Sequence, residues 1–267
     1  MPLRRSSACR HISRIMEFKE TYHPEAGEIK NRIVNYWTKR SHEFSDLRER
    51  EQASETGHAW LTEILRHLPE DRSLNILDVG CGTGMFALML SELGHHATGI
   101  DLTGHMVCHA QDLAKKHHST AQFFCMDAEN PDFPDQTFDV VLTRTLTWTL
   151  PHPDQAYRQW FRILKSGGIL LNFDADYGHD PCNKDSSALP ASHAHRTMAQ
   201  EMLNECETIK GQLSISQQSR PAWDQALLQE IGYTDISIDT ELSSRIYRDC
   251  NEFYNPTPMF AICAQRP

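Results

Sequence analysis

"LDVGCGTG", residues 77–84, places Gly80, Gly82 and Gly84 in alternation with Cys81 and Thr83, directly after an apolar run. An apolar run that breaks into alternating glycines reads as a strand turning sharply into a helix. Its backbone is left bare enough to lie against a ligand. The flanks agree: "LNILDVG" (74–80) reads as a buried strand and "MFALMLSELG" (85–94) as a helix stopped by Gly94. Further along, "HATGID" (96–101), "AQFFCMDAE" (121–129), "FDVVLTRT" (138–145) and "ILLNFDAD" (169–176) read as strands, with helices over 104–117 and 153–168. The segment 138–145 is apolar almost throughout, as strands covered on both faces are. This alternation predicts an α/β fold with a doubly wound, mostly parallel sheet, whose ligands bind beyond the carboxyl ends of the strands.

Outward from that centre the rhythm changes. Residues 25–50 carry Ile29, Ile33, Tyr36 and Trp37 at helical spacing among charges, and a second helical stretch over 56–68 stops at Pro69. Residues 25–70 are therefore expected to form an N-terminal helical cap. Residues 1–24 begin with Arg4, Arg5, Arg10 and Arg14 and lack the apolar centre of a secretory signal. They read as a flexible segment, with Met16 as an alternative start. After residue 176 the alternation breaks, and the polar, His-rich stretch 177–220 reads as a lid insertion beside the ligand crevice. A helix over 222–233 and strands over 234–240 and 259–265 follow, with no long helix between the two strands. That predicts an antiparallel pair at the sheet edge, and a seven-stranded, Rossmann-like domain over 71–267.

Bulk properties narrow the function. The chain has 267 residues, 39% hydrophobic and 23% charged, as in a soluble globular protein. A formal net charge of -10 argues against a nucleic-acid surface. No apolar run approaches the ~20 residues that span a bilayer, so no membrane partner is expected. The eight cysteines contain no C-x-x-C pair and read as reduced thiols of a cytoplasmic protein. The His pairs at 117–118 and 193–195 lack metal-ligand spacing, since i,i+2 does not bring two imidazoles to one helix face. No metal site is expected.

Which ligand the glycine turn serves follows from its neighbours. A dinucleotide turn wants G-x-G-x-x-G, and the third position here is Met85. The phosphate loop of nucleotide hydrolases fails too, because no Lys follows. Asp78, two residues before Gly80, opposes a phosphate and welcomes a cation or ammonium group. Asp101, ending the second strand, is placed to accept both hydroxyls of a ribose. Asp127 and Ala128, after the third strand, offer a side-chain acceptor beside a backbone N–H, which reads the amino edge and ring nitrogen of adenine. Ammonium, ribose and adenine without phosphate is the outline of S-adenosylmethionine.

In "LDVGCGTG", "GID" (99–101), "MDAE" (126–129), "FDVVLTRTLTWTLPHPDQAYRQWFRILKSGGILL" (138–171), "LLQEIGY" (227–233) and the first helix "IKNRIVNYWTKRSHEF" (29–44), the chain resembles the class I S-adenosylmethionine-dependent methyltransferases. The resemblance covers roughly residues 74–175 and resumes near 222. It implies Gly80, Cys81, Gly82 and Gly84 against the methionine part of the cofactor, Asp101 on the ribose, and Asp127 with Ala128 on adenine. It implies Leu102 and Met106 flanking the adenine ring, and Thr143 or Arg144 facing the methionine end. Tyr36, Trp37 and Arg40 would close over the cofactor. The product would be S-adenosylhomocysteine.

For the acceptor, Asp174 and Asp176 leave the fifth strand at i,i+2 and His152 follows the fourth, so these three are the expected catalytic residues. Trp148, Phe173 and Tyr177 are candidate walls, or simply core. An acidic chain with a compact lid points to a small-molecule acceptor. Whether O, N, S or C is methylated, and the oligomeric state, are not legible. The alternative is a protein that binds S-adenosylmethionine without transferring methyl, a sensor or an interaction subunit.

Overall fold

The computed structural model describes residues 27–181, 187 and 189–267; the expected flexible start and Met16 lie outside them. Two helices come first, α1 (Glu28–Gln52) and α2 (Glu55–Leu65). Then β1 (Asn75–Val79), α3 (Met85–Glu92), β2 (His96–Asp101), α4 (Gly104–Lys116), β3 (Gln122–Cys125) and β4 (Phe138–Arg144) alternate. They are followed by α5 (Pro153–Ile163), β5 (Leu164–Ala175), α6 (Ala194–Thr197), α7 (Gln200–Gln212) and α8 (Ala222–Ile231). The chain closes with β6 (Thr234–Asp239), α9 (Leu242–Ile246) and β7 (Met259–Gln265). The sheet has seven strands in the order β3-β2-β1-β4-β5-β7-β6. The first five run parallel; β7 runs antiparallel to both β5 and β6 and sits one place in from the edge.

The period of two in the central strands divides the core into two layers. Ile76, Val140, Leu142, Leu171 and Phe173 face a layer built on Trp60, Phe86 and Leu90. Leu77, Val79, Val141 and Leu170 face the other, built on Tyr157, Trp160 and Leu228. Phe173, a candidate acceptor wall, thus lies in the core, wholly buried against Trp60.

The sequence extends α5 to residue 168; the helix ends at Ile163. Leu164 already pairs with Phe138, and the Gly167 amide bonds the Arg266 carbonyl, so pairing with neighbouring strands takes the segment. The lid insertion is tied to the first helix. Ile33 and Tyr36 of α1 form a small core with Cys206, Ile209 and Leu213, and Arg32 holds Glu205 through two hydrogen bonds of 2.5 and 2.8 Å. The two segments make one roof over the strand ends.

Gly84 closes the turn at φ 88°, with its amide on the Cys81 carbonyl at 2.9 Å. A Cβ there would lie 2.6 Å from the Phe123 ring and 3.1 Å from Ala110. Gly84→Ala is therefore expected to cost about 2–3 kcal/mol in denaturant unfolding, left-handed strain and overpacking together. A loss below about 0.5 kcal/mol would show that the turn relaxes freely.

Candidate active site

The strand ends and the roof flank two adjoining open cavities, of about 1040 and 1080 Å³ with the solvent at their mouths included. Trp37, Phe44, Arg48, Arg144 and Thr145 border both.

The first cavity lies over the glycine turn. Asp78, Gly80, Cys81, Gly82, Asp101, Leu102, Met106, Asp127, Ala128 and Arg144 all line it, as do Trp37 from α1 and Lys30. The turn's amides decide what it can hold. The Cys81 amide donates to the Ile100 carbonyl at 3.0 Å, Gly82 to Asp101 Oδ2 at 3.0 Å, and Gly84 to the Cys81 carbonyl. Three donors that a pyrophosphate would need are thereby engaged within the chain. Asp101 also accepts the Thr103 amide on Oδ1 at 2.8 Å. Each oxygen of its carboxylate keeps a further lone pair for a hydroxyl. Burial pushes the Asp101 carboxyl above its usual range. Burial pushes Asp78 up to about 7; the Ala87 amide opposes this and the charge of Asp101 adds to it. The buried Asp78 and half-buried Asp101 carboxyls, with no salt bridge to either among the described residues and beside the apolar Ile100, Leu102 and Met106, fit a ligand with an ammonium end, a ribose and a flat base. The residues present thus suit S-adenosylmethionine.

Asp127 is held more tightly than its strand-end position predicts. Its Oδ2 accepts from Lys30 Nζ at 2.6 Å and its Oδ1 accepts the Glu129 amide at 2.9 Å. Lys30 reaches Glu129 at 2.5 Å as well, and Glu129 accepts the His152 amide. Burial of Lys30 opposes its charge, but the bonds to the two acids outweigh this and raise its pKa. Lys30 thus fastens α1 to the floor of the cavity.

The second cavity is walled by rings. Tyr36 and Arg40 border it and not the first, as do Trp148, Tyr177, Tyr247 and Tyr254. Trp148 and Tyr177 stand 5.1 Å apart between ring centroids. Between the cavities, the buried Glu51 accepts from Arg144 at 2.8 and 3.2 Å and pairs with Arg48. The Arg144 guanidinium lies 4.3 Å from the centre of the Trp60 ring.

Several expected residues are elsewhere. Asp174 is wholly buried beneath the sheet ends, and its Oδ2 accepts from Thr147, the Trp148 amide (3.1 Å) and Arg220 Nη1 (3.0 Å). Arg220 also holds Asp224 through two bonds of 2.9 Å. Tyr157 donates to Asp224 at 2.7 Å, and Asn172 donates to Tyr157. This corrects the catalytic expectation: a carboxylate so fully engaged reaches neither cavity. Asp176 bonds His179 (2.8 Å) and the Arg220 amide (3.4 Å), and borders neither. His152 is exposed at the start of α5, likewise outside both. Thr143 is wholly buried in β4, and Gly84 lies behind the turn, so neither lines a cavity.

Lys30, Phe44, Arg48, Glu51 and Tyr247 escape the sequence reading. A signal for part of this set exists: Tyr36, Arg40, Phe44 and Arg48 recur every fourth residue of α1, one helix face of rings and guanidiniums. Among the described residues no group of three or more His, Cys, Asp or Glu is placed to hold a metal ion, and no helix is long and apolar enough to cross a membrane.

Strand order, a glycine turn closed to phosphate and acids at the strand ends define a nucleoside-binding α/β domain. Residues 77–172 match the family described as a methyltransferase domain. They form a methyltransferase domain of the class I S-adenosylmethionine-dependent family. The chain is 30% identical over 172 residues to a phthiotriol/phenolphthiotriol dimycocerosates methyltransferase of Mycobacterium ulcerans, covering 63% of this chain and 61% of that one. It is 36% identical over 118 residues to a ubiquinone/menaquinone biosynthesis C-methyltransferase of Bartonella tribocorum, covering 42% and 44%. The chain spans about half the length of most curated relatives it matches, 55%, 44% and 61% among them. Its fold is similar to that of Haemonchus contortus phosphoethanolamine N-methyltransferase 2, solved with phosphomonomethylethanolamine and S-adenosylhomocysteine. That likeness has a TM-score of 0.64 at 16% identity, over 91% of this chain and 61% of that one.

Proposed function

We propose that the chain is an S-adenosylmethionine-dependent methyltransferase acting on a small-molecule acceptor. One observation carries this reading: the cavity over the glycine turn opens beside a second, ring-walled chamber across the shared border of Trp37, Phe44, Arg48, Arg144 and Thr145. S-adenosylmethionine, when bound, supplies a methyl group on a sulfonium whose positive charge makes the thioether a ready leaving group. The chain's own part is placement. Asp101 accepts the ribose hydroxyls, Asp127 and Ala128 border the adenine, and Met106 and Leu102 cover its faces. The rings of α1 and of the Trp148–Tyr177 wall exclude water and hold the acceptor in line, which is where most of the rate comes from in such displacements. We read the site as cytoplasmic, on the six cysteines outside any disulfide among the described residues, and as built for no nucleic acid, given the chain's acidity.

The test is transfer of a radiolabelled methyl group from the cofactor into the small-molecule fraction of a cell extract. Label in that fraction, with S-adenosylhomocysteine formed in step, is the expected result. Cofactor binding without any release of S-adenosylhomocysteine would favour the sensor reading instead.

Asp78 adds a pH dependence. An ammonium group beside it favours the ionised carboxyl, and that carboxyl is pushed up to about 7 in the free chain. Below pH 7 a proton must leave on binding; above it none does. Affinity for S-adenosylhomocysteine is therefore expected to rise about tenfold from pH 6 to pH 8, accompanied by proton release at the lower pH. A flat calorimetric profile over that range would remove Asp78 from the ammonium contact.

A further inference from the structure

The ring-walled chamber carries an excess of positive charge that the protein does not neutralise. Arg48 and Arg144 share one carboxylate, that of the wholly buried Glu51. The Arg144 side chain is itself only 10% exposed, and its Nε is buried without a hydrogen-bond partner. Arg40 borders the same chamber. No carboxylate pairs with it among the described residues; its Nη1 donates to the Tyr36 hydroxyl at 3.2 Å, and its guanidinium lies 5.1 Å from the Trp37 ring centre. Two acids border the chamber, so with Glu51 and Asp180 counted against Arg40, Arg48 and Arg144 the balance is still positive, Glu252 being taken by Arg50. Glu252 accepts from Arg50 at 2.9 and 3.3 Å, and Asp180 accepts from the Thr257 hydroxyl. Arg40, half-buried and bonded only to a neutral hydroxyl, can take an incoming oxyanion in the geometry its fork prefers.

Around this charge the walls are flat and apolar. Trp148 and Tyr177 pack on each other at 5.1 Å with their planes tilted by 53°, and Phe253 and Tyr254 border the same space. The Arg48 guanidinium itself stacks 4.6 Å from the Phe44 ring centre, so charge and ring face alternate along one side of α1. A cationic acceptor would meet a net positive wall here, and a purely apolar one would leave Arg40 without a carboxylate.

We propose that the chamber selects an acceptor bearing an oxyanion, carboxylate or phosphate, on a ring-sized apolar body. The oxyanion lies on Arg40, with the charge of Arg48 further along the same helix face, and the body lies against Trp148, Tyr177 and Tyr254. This rests on the reading of the chamber as the acceptor side of a methyltransferase. Burial, and next the charge of Arg144, hold the Arg48 pKa below its usual value, the condition that a bound anion reverses.

The test is calorimetric binding of four matched probes to the full chain, with and without saturating S-adenosylhomocysteine. The probes are 2-naphthoate, 2-naphthyl phosphate, 2-naphthalenemethanol and 2-naphthylmethylamine. At least one anion is expected to bind about tenfold or more tighter than the alcohol, and the amine weakest. The tighter of the two anions identifies the oxyanion. In Arg40→Gln, a residue with no ion pair to lose, the preference is expected to fall to within about threefold, with S-adenosylhomocysteine affinity unchanged as the check on folding. Arg48→Lys should narrow it too, because the bidentate fork is lost while the charge stays. Equal binding of anion and alcohol, or an undiminished preference in Arg40→Gln, overturns the proposal. An anion preference in a chain that fails to bind S-adenosylhomocysteine would keep the anion site and remove the methyltransferase reading. The reverse pattern would remove the anion site alone.

Discussion

Arg220→Ala is expected to destabilise the chain by about 3–5 kcal/mol, because it leaves two buried carboxylates without their cation. Arg220 is 8% exposed, and Asp174 and Asp224 are wholly buried. Its guanidinium bonds both carboxylates, the Thr147 hydroxyl at 2.6 Å and the Ala175 carbonyl at 3.3 Å. Nothing else cationic reaches these acids among the described residues, so the charges cannot be shared out. For a chain of this size the loss corresponds to a fall in melting temperature of roughly 10 °C, readable by circular dichroism. Adding Asp174→Asn and Asp224→Asn to Arg220→Met should recover most of it, since a network removed whole leaves no bare charge. A loss below about 1 kcal/mol for Arg220→Ala would show that water enters the network. The same variants separate structure from chemistry: Asp174→Asn is expected to change stability and leave cofactor affinity as it was.

Asp101→Ala carries the largest expected effect on binding. Its carboxylate lines the first cavity and holds the Gly82 and Thr103 amides. If Asp101 holds the ribose as proposed, removing it withdraws two charge-assisted acceptors, each worth about 1.5–3 kcal/mol, and frees the glycine turn. Affinity for S-adenosylhomocysteine should fall by about 100-fold or more. Asp101→Asn should lose somewhat less, since the amide oxygen still accepts while its NH₂ faces the donors. A change of less than about threefold in Asp101→Ala would place the ribose elsewhere.

What a sequence shows of such a site depends on how local the cause is. The β1–turn–α3 unit is legible because the reasons for it lie within a dozen residues: apolar strand, backbone that must go left-handed, apolar helix. Asp78 and Asp101 are legible for a similar reason, since parallel strands deliver their last residues to one crevice whatever the loops do. Asp174 has the same credentials and fails. Its partner, Arg220, lies across the lid insertion, and only the folded chain shows that the carboxylate turns beneath the sheet ends instead of into the crevice. Glu51 and Arg144 are a second case, joined by folding alone. Thr143 points into the core because its place in β4 sets its face, one residue before Arg144 reaches the cavity. The rings and guanidiniums of α1 were open to reading at spacing four, but an amphipathic cap helix explains them equally well until a chamber is seen beneath. The end of α5 was hidden for another reason. Helix propensity carries on past Ile163, and pairing with β4 and the carboxyl-terminal residues overrides it.

The central claim is that the glycine turn serves a nucleoside ligand without phosphate. Calorimetric titration of the purified chain with S-adenosylhomocysteine, and separately with NAD, tests it most directly. Micromolar binding of the first and none of the second is the predicted result, since the amides of Cys81, Gly82 and Gly84 are already engaged. Binding of NAD as tight as that of S-adenosylhomocysteine, or no binding of S-adenosylhomocysteine at all, would contradict it.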